Sequence, residues 1–442
     1  MQDLTAIEHR LIAIFVCALL LWVLEPVPIY ATSILIIVLQ VLTISDASFV
    51  WFAKGIDLDA ALNYKNIMAS FASPVIMLFL GGFYLAAAAT KYRLDINLAR
   101  VLLKPFGTKP KYMMLGLMLS TALFSMFMSN TATAAMMLAI LTPILKFFSP
   151  DDRGKIGFVL AIPFAANIGG IGTPIGTPPN AIALQFLTGE NAITFAQWMT
   201  FGVPFVLVNI LFCWLLIWRF YPAQKSTIEL VIKGAFIKSW KAKSVYITFG
   251  VTILLWLTDF IHGMNSYTVA LIPVAVFSLT NIINVKDMRG LSWDILWLIA
   301  GGIALGRAME HTGLAQHIID AIDFEILPPL IVIAIAALIT FSCATFMSRT
   351  ATANLMLPVI SALGASLPSI APLGGDKMLI LTATLAASLA MALPISTPPN
   401  AMAHGTGEIT TRDMIIPGII VGVVGLGFLA VLMIVLKMVN FI

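Results

Sequence analysis

Met128-Ser129-Asn130-Thr131-Ala132-Thr133-Ala134-Ala135 and Met347-Ser348-Arg349-Thr350-Ala351-Thr352-Ala353-Asn354 are near copies of one another, 219 residues apart. Each small polar stretch lies inside an apolar run long enough to enter a bilayer. Each is followed by Thr-Pro-Pro-Asn, at 177–180 and at 397–400. One arrangement is used twice.

The surrounding composition says what kind of molecule carries it. Of 442 residues, 60% are hydrophobic and only 10% charged, roughly half the charge of an average soluble domain. Apolar runs near spanning length recur from Leu11 to Ile442, and no polar block between them is large enough for a soluble domain. The expected fold is an all-α polytopic membrane protein, a single membrane domain over residues 1–442 with the lipid bilayer as its surroundings. A net charge of +4 would suggest nucleic acid in a soluble chain; here the placement of basic residues sets topology, and no nucleic-acid partner is expected. Cys17, Cys213 and Cys343 are scattered through apolar runs and read as small core residues. No small-residue cleavage signature follows the run at Leu11, which reads as a first helix.

Spans are expected at Leu11–Leu24, Ile29–Leu42, Phe49–Tyr64 and Pro74–Thr90, followed by a basic amphipathic connector, Lys91–Lys111. Met113–Phe148 is interrupted at Ser129-Asn130-Thr131, and its length allows two spans or a re-entrant hairpin. Gly157–Thr188 reads as one helix broken by Gly169 to Pro179, because prolines remove donors and glycines tolerate unusual dihedrals. Met199–Tyr221 closes the first half, and a second basic connector covers Lys225–Lys243. The second half has spans at Val245–Ile261, Tyr267–Ile283 and Asp294–Ala308, a connector Thr312–Leu327, an interrupted stretch Leu330–Leu367, a broken helix Leu379–His404 and a last span Met414–Leu436.

Gly81-Gly82 matches Gly301-Gly302, Ser129 matches Ser348 and Thr177 matches Thr397, at offsets of 219 or 220. The repeats are expected at about 29–221 and 245–437. Counting the span at Pro74 itself, five crossings lead to the start of its partner at Asp294, so the repeats must be inverted. With the N-terminus cytoplasmic, segments 1–10, 91–111, 146–155, 219–243, 286–289 and 404–413 are cytoplasmic and hold 19 of the 25 Lys and Arg. This gives eleven transmembrane helices plus two re-entrant hairpins, a C-terminus outside and, as location, a bacterial inner (plasma) membrane.

Non-helical polar backbone at membrane depth survives only when buried in protein or lining a watery cavity. Two tips and two breaks that converge would present helix N-termini to an anion, and freed carbonyls and hydroxyls to a small cation such as Na⁺. A lone Ser-Asn-Thr could be a polar kink, but duplication with matched breaks argues for a site. The glycine pairs read as close helix packing. Asp259, Asp294, Arg307 and Glu310 fall near span ends, where interfacial placement explains them.

Paired Ser-Asn-Thr tips followed by Thr-Pro-Pro-Asn breaks resemble the divalent anion/sodium symporter family, the dicarboxylate, citrate and sulfate carriers that include the INDY-type proteins. The resemblance implies a homodimeric secondary transporter of an elevator type. Scaffold helices would cover about 11–111 and 245–327, and transport-domain segments about 112–221 and 328–437. It implies a first sodium site at Ser125, Ser129, Asn130 and the backbone of Gly176. Substrate contacts would come from Asn130, Thr131, Thr177, Pro178, Thr350, Thr397 and Pro398. A second sodium site would involve Ser348, position 349 and Ser396.

Position 349 is Arg where the family pattern has Asn. A guanidinium there either replaces the second Na⁺ or grips a substrate carboxylate; the plainer alternative is that it snorkels to water or forms a structural ion pair. A fixed cation cannot leave with the substrate, so the expectation is exchange of dicarboxylates (succinate, malate, fumarate, 2-oxoglutarate) with reduced or absent sodium coupling. Na⁺ symport of a dicarboxylate, citrate or sulfate is the alternative, as is an ion or metalloid-oxyanion antiporter of related architecture. His404 could add proton sensitivity or make a satisfied polar contact. A hydrolase with Ser348 or Ser129 as nucleophile and His404 as base offers no reason for inverted duplication. No catalytic residue is assigned, and no cofactor beyond possible Na⁺ at the first-repeat site.

Overall fold

The computed structural model describes residues 4–53, 61–146, 148–149, 151–228, 235–314, 317 and 327–442. The described residues are helical apart from turns and a single bridge between Ser45 and Leu62. The principal helices of the first half are α1 (Ala6–Leu24), α2 (Ile29–Ile44), α3 (Pro74–Lys91), α4 (Leu94–Leu103), α5 (Pro110–Phe127), α6 (Asn130–Leu145), α7 (Gly154–Gly169), α8 (Pro178–Leu184) and α9 (Phe195–Phe220). Those of the second are α10 (Trp240–Leu257), α11 (Ser266–Leu279), α12 (Trp293–Thr312), α13 (Pro329–Phe346), α14 (Arg349–Ser366), α15 (Gly375–Leu389), α16 (Pro398–Gly405) and α17 (Thr411–Met438). Six described helical segments are long and apolar enough to cross a membrane. The chain is thus an integral membrane protein.

Local chemistry places the helix starts. Pro stands in the first turn of α3, α5, α8, α13 and α16, where its missing N–H costs nothing. Thr194 with Gln197 and Thr410 with Asp413 form reciprocal capping boxes at α9 and α17. The interrupted stretches resolve as helix pairs, α5–α6 and α13–α14, that turn at Met128-Ser129 and Met347-Ser348. The broken helices resolve as α7–α8 and α15–α16. Connector Lys91–Lys111 contains α4 and the start of α5. Most of connector Thr312–Leu327, and residues 229–234 of connector Lys225–Lys243, lie outside the described residues.

One expected span fails. Leu62 N–H donates to Ile44 O at 3.2 Å and Asp46 N–H to Leu62 O at 2.9 Å, so the chain leaves the end of α2 and comes back to it. A helix crossing over Phe49–Tyr64 would carry residue 62 roughly 20 Å away. The described part of that segment holds only a short helix, Val50–Ala53. Residues 54–60 lie outside the description. Removing one crossing changes the parity of everything N-terminal to it.

Contacts at the helix ends say which ends share a face. Arg10 Nη1 donates to Thr43 O at 2.7 Å, and Arg307 Nη1 to Asn66 O at 3.4 Å. Glu8 Oε1 lies 2.5 Å from His317 Nδ1. The N-terminus, the end of α2, residues 61–73 and the end of α12 are therefore together. Lys91, at the end of α3, donates to Ile282 O and pairs with Asp287 at 2.5 Å, just before α12. Helices α3 and α12 thus run antiparallel, and the N-terminus lies on the face opposite the basic connector 91–111. This corrects the expectation that the two share a side. The apolar look of Phe49–Tyr64 produced the error.

Packing is symmetric as well. Helix α2 lies along α12, and α11 along α3. The glycine pairs allow this, as expected: a Cβ on Gly301 would stand 2.4 Å from Ser33 Cβ, and one on Gly81 would stand 2.3 Å from Ala270 O. The short helices cross over between halves. Helix α8 packs on α14, and α16 packs on α6 and α7. Arm α7 is almost wholly buried, whereas Leu20, Leu207, Leu254 and Leu330 are exposed apolar residues on outer helices, as a lipid-facing belt requires.

Candidate substrate site

A cavity of about 650 Å³ lies where the two tips and two breaks meet. It is lined by Ser129, Asn130, Thr131, Gly176, Thr177 and Pro178 of the first half. Ser348, Arg349, Thr350, Ser396, Thr397 and Pro398 line it from the second. Every residue expected at the site is therefore on its wall except Ser125, which is buried directly behind Asn130. The N-termini of α6, α8, α14 and α16 all reach the cavity, so partial positive charge faces it from four sides. Phe79, Phe83, Ile175 and Leu298 supply apolar wall. The cavity reaches the face that carries the basic connectors, between Pro28–Tyr30 and Ser292–Ile295.

The Thr-Pro-Pro-Asn asparagines hold the breaks open. Asn180 Nδ2 lies 2.8 Å from Thr173 O and 3.2 Å from Gly170 O, while Asn400 Nδ2 lies 2.9 Å from Met391 O and 3.0 Å from Leu393 O. Each amide gathers the carbonyls that its own broken helix has freed. Thr173 Oγ1 donates to Met126 O, and Ser396 Oγ donates to Thr345 O at 2.7 Å, tying each break to the tip of its own half.

At the first tip, oxygens converge. Ser125 Oγ lies 2.5 Å from Asn130 Oδ1 and 2.7 Å from Ala166 O, yet a hydroxyl has one proton to give. Gly170 and Gly176 crowd the same spot, where a Cβ on Gly176 would stand 2.4 Å from Gly170 O. A neutral, oxygen-rich nest of this kind fits a small hard cation. Ser129, expected as a ligand, caps α6 by accepting from Ala132 N–H at 3.1 Å and keeps a second lone pair at the cavity wall.

At the second tip a cation is built in. Arg349 is 6% exposed. Its Nη1 donates to Ser388 O at 2.8 Å, and its Nη2 donates to Asn167 Oδ1 at 2.6 Å. Asn167 passes the contact on, with Nδ2 2.8 Å from Asn400 Oδ1 and 3.1 Å from Thr397 Oγ1. Neither partner of the guanidinium is an acid, and among the described residues Arg349 has no ion pair. The structural ion pair weighed for Arg349 is therefore absent from the described residues. A buried cation held only by neutral groups keeps its charge for something else. Ser396 spends its hydroxyl on Thr345 O, and the counterpart of Ser125 at an offset of 219 is Ala344, so the second tip lacks the side-chain oxygens of the first.

Sequence reasoning missed Asn167, Ser388 O and Ala166 O. Asn167 carried one readable signal, a polar side chain inside an apolar span just before Gly169-Gly170; the two carbonyls carried none. It also set aside Asp294, which lines the cavity. His404 is away from the cavity wall, with Nε2 3.2 Å from Thr411 Oγ1, so it makes a polar contact.

These features define a membrane protein of carrier type whose central cavity is lined by residues from both halves of a repeated chain. The sequence model described as "Citrate transporter" matches residues 19–374, and the chain belongs to that family of carboxylate transporters. It is 31% identical to the sodium-dependent dicarboxylate transporter SdcS of Staphylococcus saprophyticus, over 91% of this chain and 82% of that one. It is 29% identical to SdcS of Staphylococcus aureus, over 89% of this chain and 79% of that one. The Alcanivorax borkumensis YdaH transporter shares the fold at a TM-score of 0.58 and 12% identity, covering 98% of this chain and 99% of that one. The protein is a transporter and not an enzyme.

Proposed function

We propose that the protein exchanges dicarboxylates of the succinate, malate, fumarate and 2-oxoglutarate class across the membrane, with Arg349 standing in for the second sodium ion. The observation that carries this reading is the buried guanidinium at the cavity wall, donating only to the neutral Ser388 O and Asn167 Oδ1. Ser388 O is a carbonyl close to the break of α15 that a bound cation could otherwise satisfy, and the remaining donors of Arg349 are left for a carboxylate. Four helix N-termini supply the rest of the anion field. Substrate contacts come from Asn130, Thr131, Thr177, Pro178, Thr350, Thr397 and Pro398. An empty carrier would retain the uncompensated cation and return poorly, which makes movement obligatory in both directions.

In this reading α5–α6 and α13–α14 are re-entrant hairpins and the repeats are inverted. With Leu62 back beside the end of α2, the repeats run over α1–α9 and α10–α17, ten crossings in all. Both termini are then outside, and the cytoplasmic segments still hold 18 of the 25 Lys and Arg. The cavity faces the cytoplasm. Helices α1–α4 and α10–α12 form the scaffold of a homodimer, and the remainder moves as an elevator.

Sodium-coupled symport is the second reading, favoured by the oxygen cluster of Ser125, Asn130 and Ala166 and by the sodium dependence in the relatives' name. Labelled succinate uptake into proteoliposomes, with and without internal dicarboxylate and with Na⁺ replaced by choline, separates them. Exchange requires internal substrate; Na⁺-driven uptake into empty vesicles would establish symport instead.

A further inference from the structure

Two residues of the cavity wall depart from the repeat by introducing charge, and their signs are opposite. Arg349 stands opposite Asn130. Asp294, at the offset of 220 shared by Gly301 and Gly81, stands opposite Pro74. No other Asp, Glu, Lys or Arg is found among the described residues lining the cavity. They sit at different depths: Arg349 is buried at a tip, whereas Asp294 is exposed in the first turn of α12, beside Ser292 at the basic-face mouth.

Asp294 has no structural occupation. Among the described residues its carboxylate makes no hydrogen bond or ion pair, and the start of α12 has no side-chain cap. First-turn placement by itself would favour an acid weakly through the helix dipole. A bare carboxylate at the entrance to a dianion site is unfavourable for binding there, so a reason beyond helix stability is called for.

We propose that Asp294 is a one-sided specificity residue, which repels the dicarboxylate at the basic-face mouth and lowers affinity on that face alone. The inference rests on the dicarboxylate reading above. Helix α12 belongs to the scaffold, so its charge does not travel with the substrate. The counterpart at the other face is the neutral Pro74, so the opposite mouth lacks a matching charge from this position. Substrate brought to the cytoplasmic face meets Asp294 as Arg349 releases it, which favours discharge there and lets the carrier hold substrate more tightly from outside.

The test compares wild type, Asp294→Asn and Asp294→Glu in right-side-out cells and inside-out vesicles, reading KM for succinate on each face. Asp294→Asn is expected to lower KM at the cytoplasmic face about three- to ten-fold, with the difference shrinking as ionic strength rises from about 20 to about 300 mM. The outer-face KM should hold, and Asp294→Glu should resemble wild type. An unchanged cytoplasmic KM, or an equal change on both faces, overturns the inference while dicarboxylate transport stands. If wild type moves no dicarboxylate on either face, the functional reading fails and this inference falls with it.

Discussion

The two tips face the same physical problem and meet it differently. Each turn leaves carbonyl oxygens and helix ends deep in an apolar molecule. At the first tip Ser125, Asn130 and Ala166 bring three oxygens together around no built-in positive charge. At the second, Ala344 replaces the serine and Arg349 fills the space with a guanidinium that donates to Ser388 O and Asn167 Oδ1. A removable ion and a covalently attached cation can satisfy similar oxygens, but only the first can leave. On the proposed reading, that difference decides whether the empty carrier can return.

Breaking the second tip should have the largest effect. Arg349→Ala removes the positive side chain from the cavity wall and leaves two buried acceptors unpaired, so succinate exchange is expected to fall about a hundred-fold or more in proteoliposome counterflow. Arg349→Asn is the sharper version: it copies the first tip and should bring a gain of Na⁺ dependence. An unchanged Na⁺ profile with normal affinity would instead mean that the guanidinium is purely structural. Arg349→Lys should recover little, because an ammonium cannot reach both acceptors in the guanidinium's fork.

At the first tip, Ser125→Ala is expected to raise the Na⁺ concentration for half-maximal stimulation about ten-fold, read from uptake against Na⁺ at constant ionic strength. No shift would remove Ser125 from any ion site. Asn167→Ala loosens the second tip from its own break and from α7 of the first half, since Asn167 links Arg349 to Asn400 and Thr397. A rise in KM of about five- to ten-fold is expected, with a smaller fall in maximal rate, because Arg349 keeps Ser388 O.

The smallest effect should come from the tie between the halves that lies at the basic face. Burial pushes the Asp287 carboxyl up, but Asn284 N–H and then Lys91 outweigh it and hold the group below its ordinary range. A depressed carboxyl contributes stability that is present above its ordinary value and is lost as pH falls through the folded one. Side-chain exposures of 33% and 25% for Lys91 and Asp287 keep the contribution below about 1 kcal/mol. Lys91→Ala should therefore lower thermal stability only slightly at neutral pH, with the gap to wild type closing below about pH 4.

Motifs at a constant offset were readable because duplication repeats them, and all but one of the expected site residues line one cavity. The partners of those motifs were less visible. Ser388 O and Ala166 O are backbone atoms that any residue would supply. Asn167 lies in no repeated motif. Asp294 looked interfacial because it opens a span, and only folding brings that end beside the cavity.

From the sequence alone follow the membrane class, the twofold repeat, the tips and breaks, and the exceptional Arg349. Periodicity, apolar length and proline placement act locally, and local physics can be read in order along a chain. Tertiary structure alone decided that Leu62 lies back beside the end of α2, that the N-terminus lies opposite the basic connectors, and that Arg349 is held by neutral oxygens. Each of these depends on a contact between distant segments, such as Leu62 with Ile44 or Arg349 with Asn167. Hydropathy cannot distinguish a segment that crosses from one that turns back.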